Sequence, residues 1–139
     1  MRVFLDTNIF VSALISRSGS TDRLYLAWKE QRYELVTSTE QLEEFRRVTR
    51  YPRVKQLIEP SAAGTLYNYL RASNIVLDRL PVINRSSDPG DNFLLAVAEA
   101  GAADYLVTGD KRDLLALEKH GNTHILSAAE MLEILGVHG

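Results

Sequence analysis

Short apolar runs, several ending in an acid and separated by stretches with helical spacing, constrain this chain more than any other feature. Five runs read as strands: Val3 to Asp6, Tyr33 to Thr37, Ile75 to Leu77, Tyr105 to Thr108 and His124 to Leu126. Helical patterns lie between them, over Asn8 to Ile15, Thr21 to Gln31, Thr39 to Thr49, Ser61 to Ala72, Asp91 to Ala100, Leu114 to Lys119 and Ala128 to Leu135. The last begins with Ser127-x-x-Glu130, a capping box, and stops before Gly136. Leu80 to Gly90, with Pro81 and Pro89, reads as a loop crossing the domain. Strands that alternate with helices predict an α/β fold with a mostly parallel sheet and helices on both faces. Functional groups in such folds gather outside the carboxyl ends of the strands.

Four acids fall where that topology would collect them. Asp6 and Asp110 end strand-like runs, Glu44 lies on an early helix, and Asp91 opens the very apolar one. Two unit charges about 4 Å apart repel by roughly 4 kcal/mol at an effective dielectric of ~20. A divalent cation relieves that repulsion, and hard oxygen ligands favour Mg²⁺ or Mn²⁺. The first reading is therefore a metal-dependent phosphoester hydrolase.

Each acid also has a plainer explanation. Asp6 is a good N-cap for the helix after it, and Thr7 and Asn8 suit a turn. Functionally, Asp6 would be a metal ligand and Asn8 would orient it. Asp88 could cap a helix with Pro89 at its first position, leaving Asp91 as the capping partner. Asp110 could cap the next helix, with Asp113 at its third position. Gly109 permits the tight bend between them. Glu43 and Glu44 separate by helix geometry. From the centre of the apolar face formed by Leu42, Phe45, Val48 and Thr49, Glu44 lies roughly 110° and Glu43 roughly 150°. Glu43 can pair with Arg47 at i+4, whereas Glu44 borders the buried face. Glu44 is the better site residue of the two.

Composition excludes several chemistries. The 139 residues suit one domain over 1–139, with enough length for a sizeable core. There is no cysteine, so disulfides, thiolate metal sites and a cysteine nucleophile are out. Apolar stretches fall far short of a membrane span. The N-terminal run meets an acid too soon for a signal peptide, so a cytoplasmic location is expected. A net charge of −2 does not suit nucleic-acid binding by broad charge alone. Any grip on RNA or DNA would be local, through a basic patch or a metal. Arg46, Arg47, Arg50, Arg53 and Lys55 form one basic cluster. It reads either as a solvated face balanced by Glu40, Glu43 and Glu44, or as a track for a phosphate backbone. Tyr51 and Tyr67 are rim or core rings that could stack on bases. His120, His124 and His138 lack ligand spacing and read as surface or strand-packing residues.

At these residues the chain resembles the PIN-domain family. The resemblance rests on Phe4-Leu5-Asp6-Thr7-Asn8, Leu42-Glu43-Glu44-Phe45-Arg46-Arg47-Val48, Asp88-Pro89-Gly90-Asp91-Asn92 and Ala103-Asp104-Tyr105-Leu106-Val107-Thr108-Gly109-Asp110. Within that family it is most similar to the toxin-like branch, the VapC-type toxins of toxin–antitoxin pairs. The resemblance implies a three-layer α/β/α fold around a mostly parallel sheet of about five strands. It implies a Mg²⁺- or Mn²⁺-dependent endoribonuclease, with Asp6, Glu44, Asp91 and Asp110 as the acidic quartet and Thr108 and Asn8 beside it. RNA as substrate, a homodimer or higher homo-oligomer and an antitoxin partner come with it.

Two other readings compete. A PIN fold that binds RNA or protein without cutting would keep its acids as caps. A haloacid-dehalogenase-like phosphatase would also start with a strand ending in aspartate. It needs a second aspartate two residues on, where this chain has Asn8.

Overall fold

The computed structural model describes residues 1–16, 19–109 and 111–137. Asp110 and His138 lie outside the described residues. In chain order the elements are β1 (Arg2–Leu5), α1 (Thr7–Ile15), α2 (Ser20–Lys29), β2 (Glu34–Ser38), α3 (Thr39–Thr49), α4 (Pro52–Lys55) and α5 (Pro60–Arg71). They continue with β3 (Ile75–Leu77), α6 (Pro89–Ala100), β4 (Tyr105–Val107), α7 (Arg112–Leu115), β5 (Lys119–His120), β6 (Thr123–Leu126) and α8 (Ala128–Leu135). Among the described residues no helix is long and apolar enough to cross a membrane.

The strands form one sheet in the order β3-β2-β1-β4-β6-β5, parallel except for the β5–β6 pair. Strand alternation sorts the core into two layers. Val3, Leu5, Leu35 and Val107 face one side, against Phe10, Leu24, Phe45, Leu66 and Met131. Phe4, Val36, Leu106 and Ile125 face the other, against Leu94, Leu95, Val97 and Leu114. The result is the expected three-layer α/β/α fold. Helix α6 is apolar nearly all round because it covers the central strands, where little of its surface meets water.

The elements depart from the sequence reading at three places. Among the described residues the sheet has six strands, one more than the five runs read as strands. The helix expected over Leu114 to Lys119 ends at Leu115, and Lys119–His120 is an edge strand. Glu118 takes a left-handed conformation (φ 60°), which a helix cannot continue through. Gly121 (φ 56°) with Asn122 then forms the two-residue hairpin loop to β6. The short helix α4, with Pro52 in its first turn, falls within the basic cluster, where the sequence pattern predicts no element. Helix α6 starts at Pro89 with Asp88 as its N-cap, as the capping reading of Asp88-Pro89 has it.

Candidate active site

Chain direction changes at β1. It pairs with β2 on one side and with β4 on the other, so the chain leaves β1 toward β2 and leaves β4 toward β6, in opposite directions. A crevice opens at the carboxyl ends of two such strands. The register sets Leu5 opposite Val107, which brings the next residues, Asp6 and Thr108, side by side. The Asp6 backbone N–H donates to Val107 O at 2.9 Å, and the Thr108 hydroxyl donates to Asp6 Oδ2 at 3.1 Å. Both residues are buried, Asp6 at 5% exposure and Thr108 at 0%.

Asp6 sits at the N-cap position of α1, yet its side chain makes no cap hydrogen bond. Burial raises its pKa. The Thr108 hydroxyl, the Lys111 ammonium and the amides of Asn8 and Thr7 pull the other way without reversing the shift. Asn8 itself is exposed.

Glu44 reaches the same crevice from α3, which follows the neighbouring strand β2. It is half-buried, while Glu43 is exposed. Burial raises the Glu44 pKa, and the negative charge of Asp6 raises it further. Arg47, the Thr7 hydroxyl and Lys111 partly offset this. Glu43 instead lines an outer groove with Arg46, Arg47, Arg50 and Tyr51.

Asp91 arrives from the opposite face of the sheet, at the start of α6. Asp88 is the cap, accepting from Gly90 N–H at 2.8 Å. Asp91 is free of capping duty. Its Oδ2 accepts from the Ser86 hydroxyl at 3.2 Å, and its Oδ1 lies 3.4 Å from Lys111 Nζ. Asn92 pins the crossing loop behind it, accepting from Arg85 and Ser86 N–H and donating to Ser86 O. A cleft of about 380 Å³ opens beside Asp91, lined by Asp88, Lys111, Arg112 and Asp113.

Three carboxylates thus come from β1, α3 and α6. Lys111 is the common positive neighbour of all three. Asp110, the fourth expected acid, lies outside the described residues. Among the described residues no group of three or more His, Asp or Glu is close enough to hold a metal ion by itself. The donor chemistry nevertheless fits a hard divalent cation. Every donor is a carboxylate oxygen, and two of the carboxyls are disfavoured as anions where they stand.

Sequence reasoning missed the support beneath these acids. Gln41 is buried at 1% exposure and ties the crevice floor together. It accepts from the Thr37 hydroxyl at 2.6 Å and donates to Leu5 O at 2.7 Å and to Thr7 Oγ1 at 3.4 Å. The available signal was spacing: Gln41 stands four residues after Thr37 and one turn before Glu44. Lys111 and Ser86, far from these acids in sequence or in a loop, carry no local signal that would place them beside Asp91. His120 and His124 carry no part of this site. His120 pairs with Glu99 at 3.0 Å and His124 packs on Tyr105.

Among family models, that of the PIN domain matches residues 2–112. That span runs from β1 to the first residue of α7 and contains all four expected acids. Neither the curated proteins nor the solved structures gave a match.

Proposed function

This chain belongs to the PIN-domain family, whose modules are generally nucleases, and from that premise we propose that it is a Mg²⁺- or Mn²⁺-dependent endoribonuclease. The observation that carries the reading is the convergence of Asp6, Glu44 and Asp91 on one strand-end crevice. Asp6 and Glu44 remain there although burial opposes their charge, and Asp91 is not used as the cap of its own helix. Asp6 makes no cap bond, and Asp88 caps α6 in place of Asp91.

Asp6 and Asp91 are the residues to hold the cation, with Asp110 as a third ligand and Glu44 as an outer one. A divalent cation there would neutralise charge on a phosphodiester and acidify an attacking water. The chain's own groups do the rest. Thr108 fixes the Asp6 carboxylate through its hydroxyl, so that one oxygen stays turned into the crevice. Ser86 holds one Asp91 oxygen in the same way, and the other faces the Lys111 ammonium. Lys111 adds positive charge at the mouth of the cleft, where a phosphate would enter. Asn8, exposed beside Asp6, borders the entering strand. No histidine or cysteine is needed.

The single domain over 1–139, a cytoplasmic location and a homodimer or higher homo-oligomer belong to the same reading, as does a toxin role with an antitoxin partner.

The direct test is cleavage of unstructured RNA and DNA with Mg²⁺, Mn²⁺ or chelator, alongside Asp91→Asn. RNA cleavage that needs the metal and falls more than about 100-fold in the variant is expected. Metal-independent cleavage, or none on any RNA, would sink the reading.

A second reading is a PIN module that binds without cutting. The Lys111–Asp91 ion pair favours it, because it balances one acid without any cation from solution. Calorimetric titration with Mn²⁺ separates the two. Heat of binding in the wild type that is lost in Asp6→Asn excludes the silent module.

A further inference from the structure

Arg46 on α3 and Arg71 at the end of α5 lie over the same ring, that of Tyr67, at 5.2 and 5.7 Å from its centroid. Arg50 and Lys55 line the same groove, which encloses about 550 Å³. Among the described residues no Asp or Glu lines it. Among the described residues no carboxylate comes within 4.0 Å of any of these four cations. The chain has more acids than bases overall, at net charge −2, yet it places none here. Four cations gathered without counter-charge repel one another unless an anion joins them.

The packing favours a phosphate as that anion. Tyr67 is half-buried, and its ring anchors both guanidiniums. Cations held against an aromatic face lose little freedom on binding, and the planar guanidinium fork matches phosphate oxygens two at a time. The ring of Tyr67 is therefore occupied by cations, not left open for a base. The open ring is Tyr51, 42% exposed, in the adjoining groove that Arg46, Arg47 and Arg50 also line, three cations against the single acid Glu43. An exposed aromatic beside unpaired cations suits a polynucleotide better than an acidic peptide. Arg47 continues the positive charge along α3 toward Glu44, whose pKa it lowers.

We propose that the groove between α3 and α5 is a second phosphate-binding site, occupied by the backbone of a single-stranded RNA. It holds a stretch of the strand away from the carboxylates, with Tyr51 stacking on a neighbouring base. This inference rests on the nuclease reading of the crevice and adds where the rest of the strand lies.

The test is fluorescence anisotropy of a labelled, unstructured RNA in chelator, so that nothing is cleaved, over a range of KCl concentrations. The wild type is compared with Arg46→Ala/Arg71→Ala and with Arg50→Ala/Lys55→Ala. The second pair is exposed and makes no ring contact, so it guards against a folding defect. Each single-strand phosphate contact contributes about 0.7 to the slope of log K against log salt. Each double variant should lower the slope by about 1.4 and weaken low-salt binding by about tenfold or more. An unchanged slope in both doubles overturns the proposal. So does wild-type binding of polyglutamate that is tighter than RNA and lost in the doubles. Cleavage with Mn²⁺ is assayed on the same preparations. A wild type that binds with the expected slope but does not cut removes the nuclease reading and upholds the groove. Cleavage with unchanged slopes removes the groove alone.

Discussion

Lys111 places its ammonium nitrogen 3.4 Å from Asp91 Oδ1, and the same charge lowers the pKa of both Asp6 and Glu44. One side chain thus moderates three carboxylates that arrive on three different elements. Replacing it with an uncharged chain of similar length, Lys111→Met, removes that moderation. The pKa values of Asp6 and Glu44 then rise further, and more alkaline conditions are needed to ionise them. The acid limb of the pH profile of kcat/KM should move to higher pH. A limb that stays in place would show that Lys111 does not act on these groups.

Asp6 should cost the protein stability at neutral pH. Its pKa in the fold stands above the ordinary 3.8, so the folded state binds that proton more tightly than the unfolded chain does. Stability therefore falls as pH rises from about 3.8 through the raised value, and the whole cost is present at pH 7. Asp6→Asn keeps the shape and the Thr108 hydrogen bond while removing the charge. The variant should melt a few degrees higher than wild type at pH 7, since about 1 kcal/mol moves Tm by roughly 2–8 °C in small domains. The advantage should vanish in acid, and RNA cleavage should be lost. Thermal melts at several pH values check this, and a variant less stable than wild type at pH 7 would contradict it.

Gln41→Ala should damage the crevice from below. It strands the buried Leu5 carbonyl and the Thr37 hydroxyl, each losing a partner at 2.7 and 2.6 Å. One buried polar group left unpaired costs about 1–3 kcal/mol, and a cavity adds to that. Urea denaturation should show a loss of about 2–4 kcal/mol. Cleavage should fall more than the unfolded fraction accounts for, because Leu5 O and Thr7 flank Asp6.

Gly101 serves close packing rather than an unusual backbone conformation, since its φ is −84°. A Cβ there would stand 2.5 Å from Val36 Cγ1, inside a fully buried side chain. Gly101→Ala should destabilise by about 1–3 kcal/mol through overpacking. Val36→Ala in the same chain makes room, so the double variant should be less unstable than the sum of the two singles. Strict additivity in denaturant melts would show that the two sites do not touch.

Much of the fold was legible because its signals are local. Helix α3 and strand β2 follow from residues a few positions apart, and so does the Ser127–Glu130 capping box, which forms as read. Glu44 could be set apart from Glu43 by angle alone, since a helix repeats every 3.6 residues. The hairpin at Gly121-Asn122 was equally local but was hidden by a helical reading of Leu114 to Lys119. Arg46 and Tyr51 were visible as neighbours in sequence, whereas Arg71 was not seen as part of their surface.

Residue types and their spacing determined by themselves that this chain would alternate strands with helices and carry acids at strand ends and helix starts. Those choices depend on backbone sterics and contacts within a turn or two. Only the tertiary structure decided that Thr108 would hold Asp6 across 102 positions, that Lys111 would meet Asp91, and that Arg46 and Arg71 would share one ring. Those pairings depend on strand register and on which helix faces pack together. Both are settled by burying the whole core at once, and no short window of sequence contains that information.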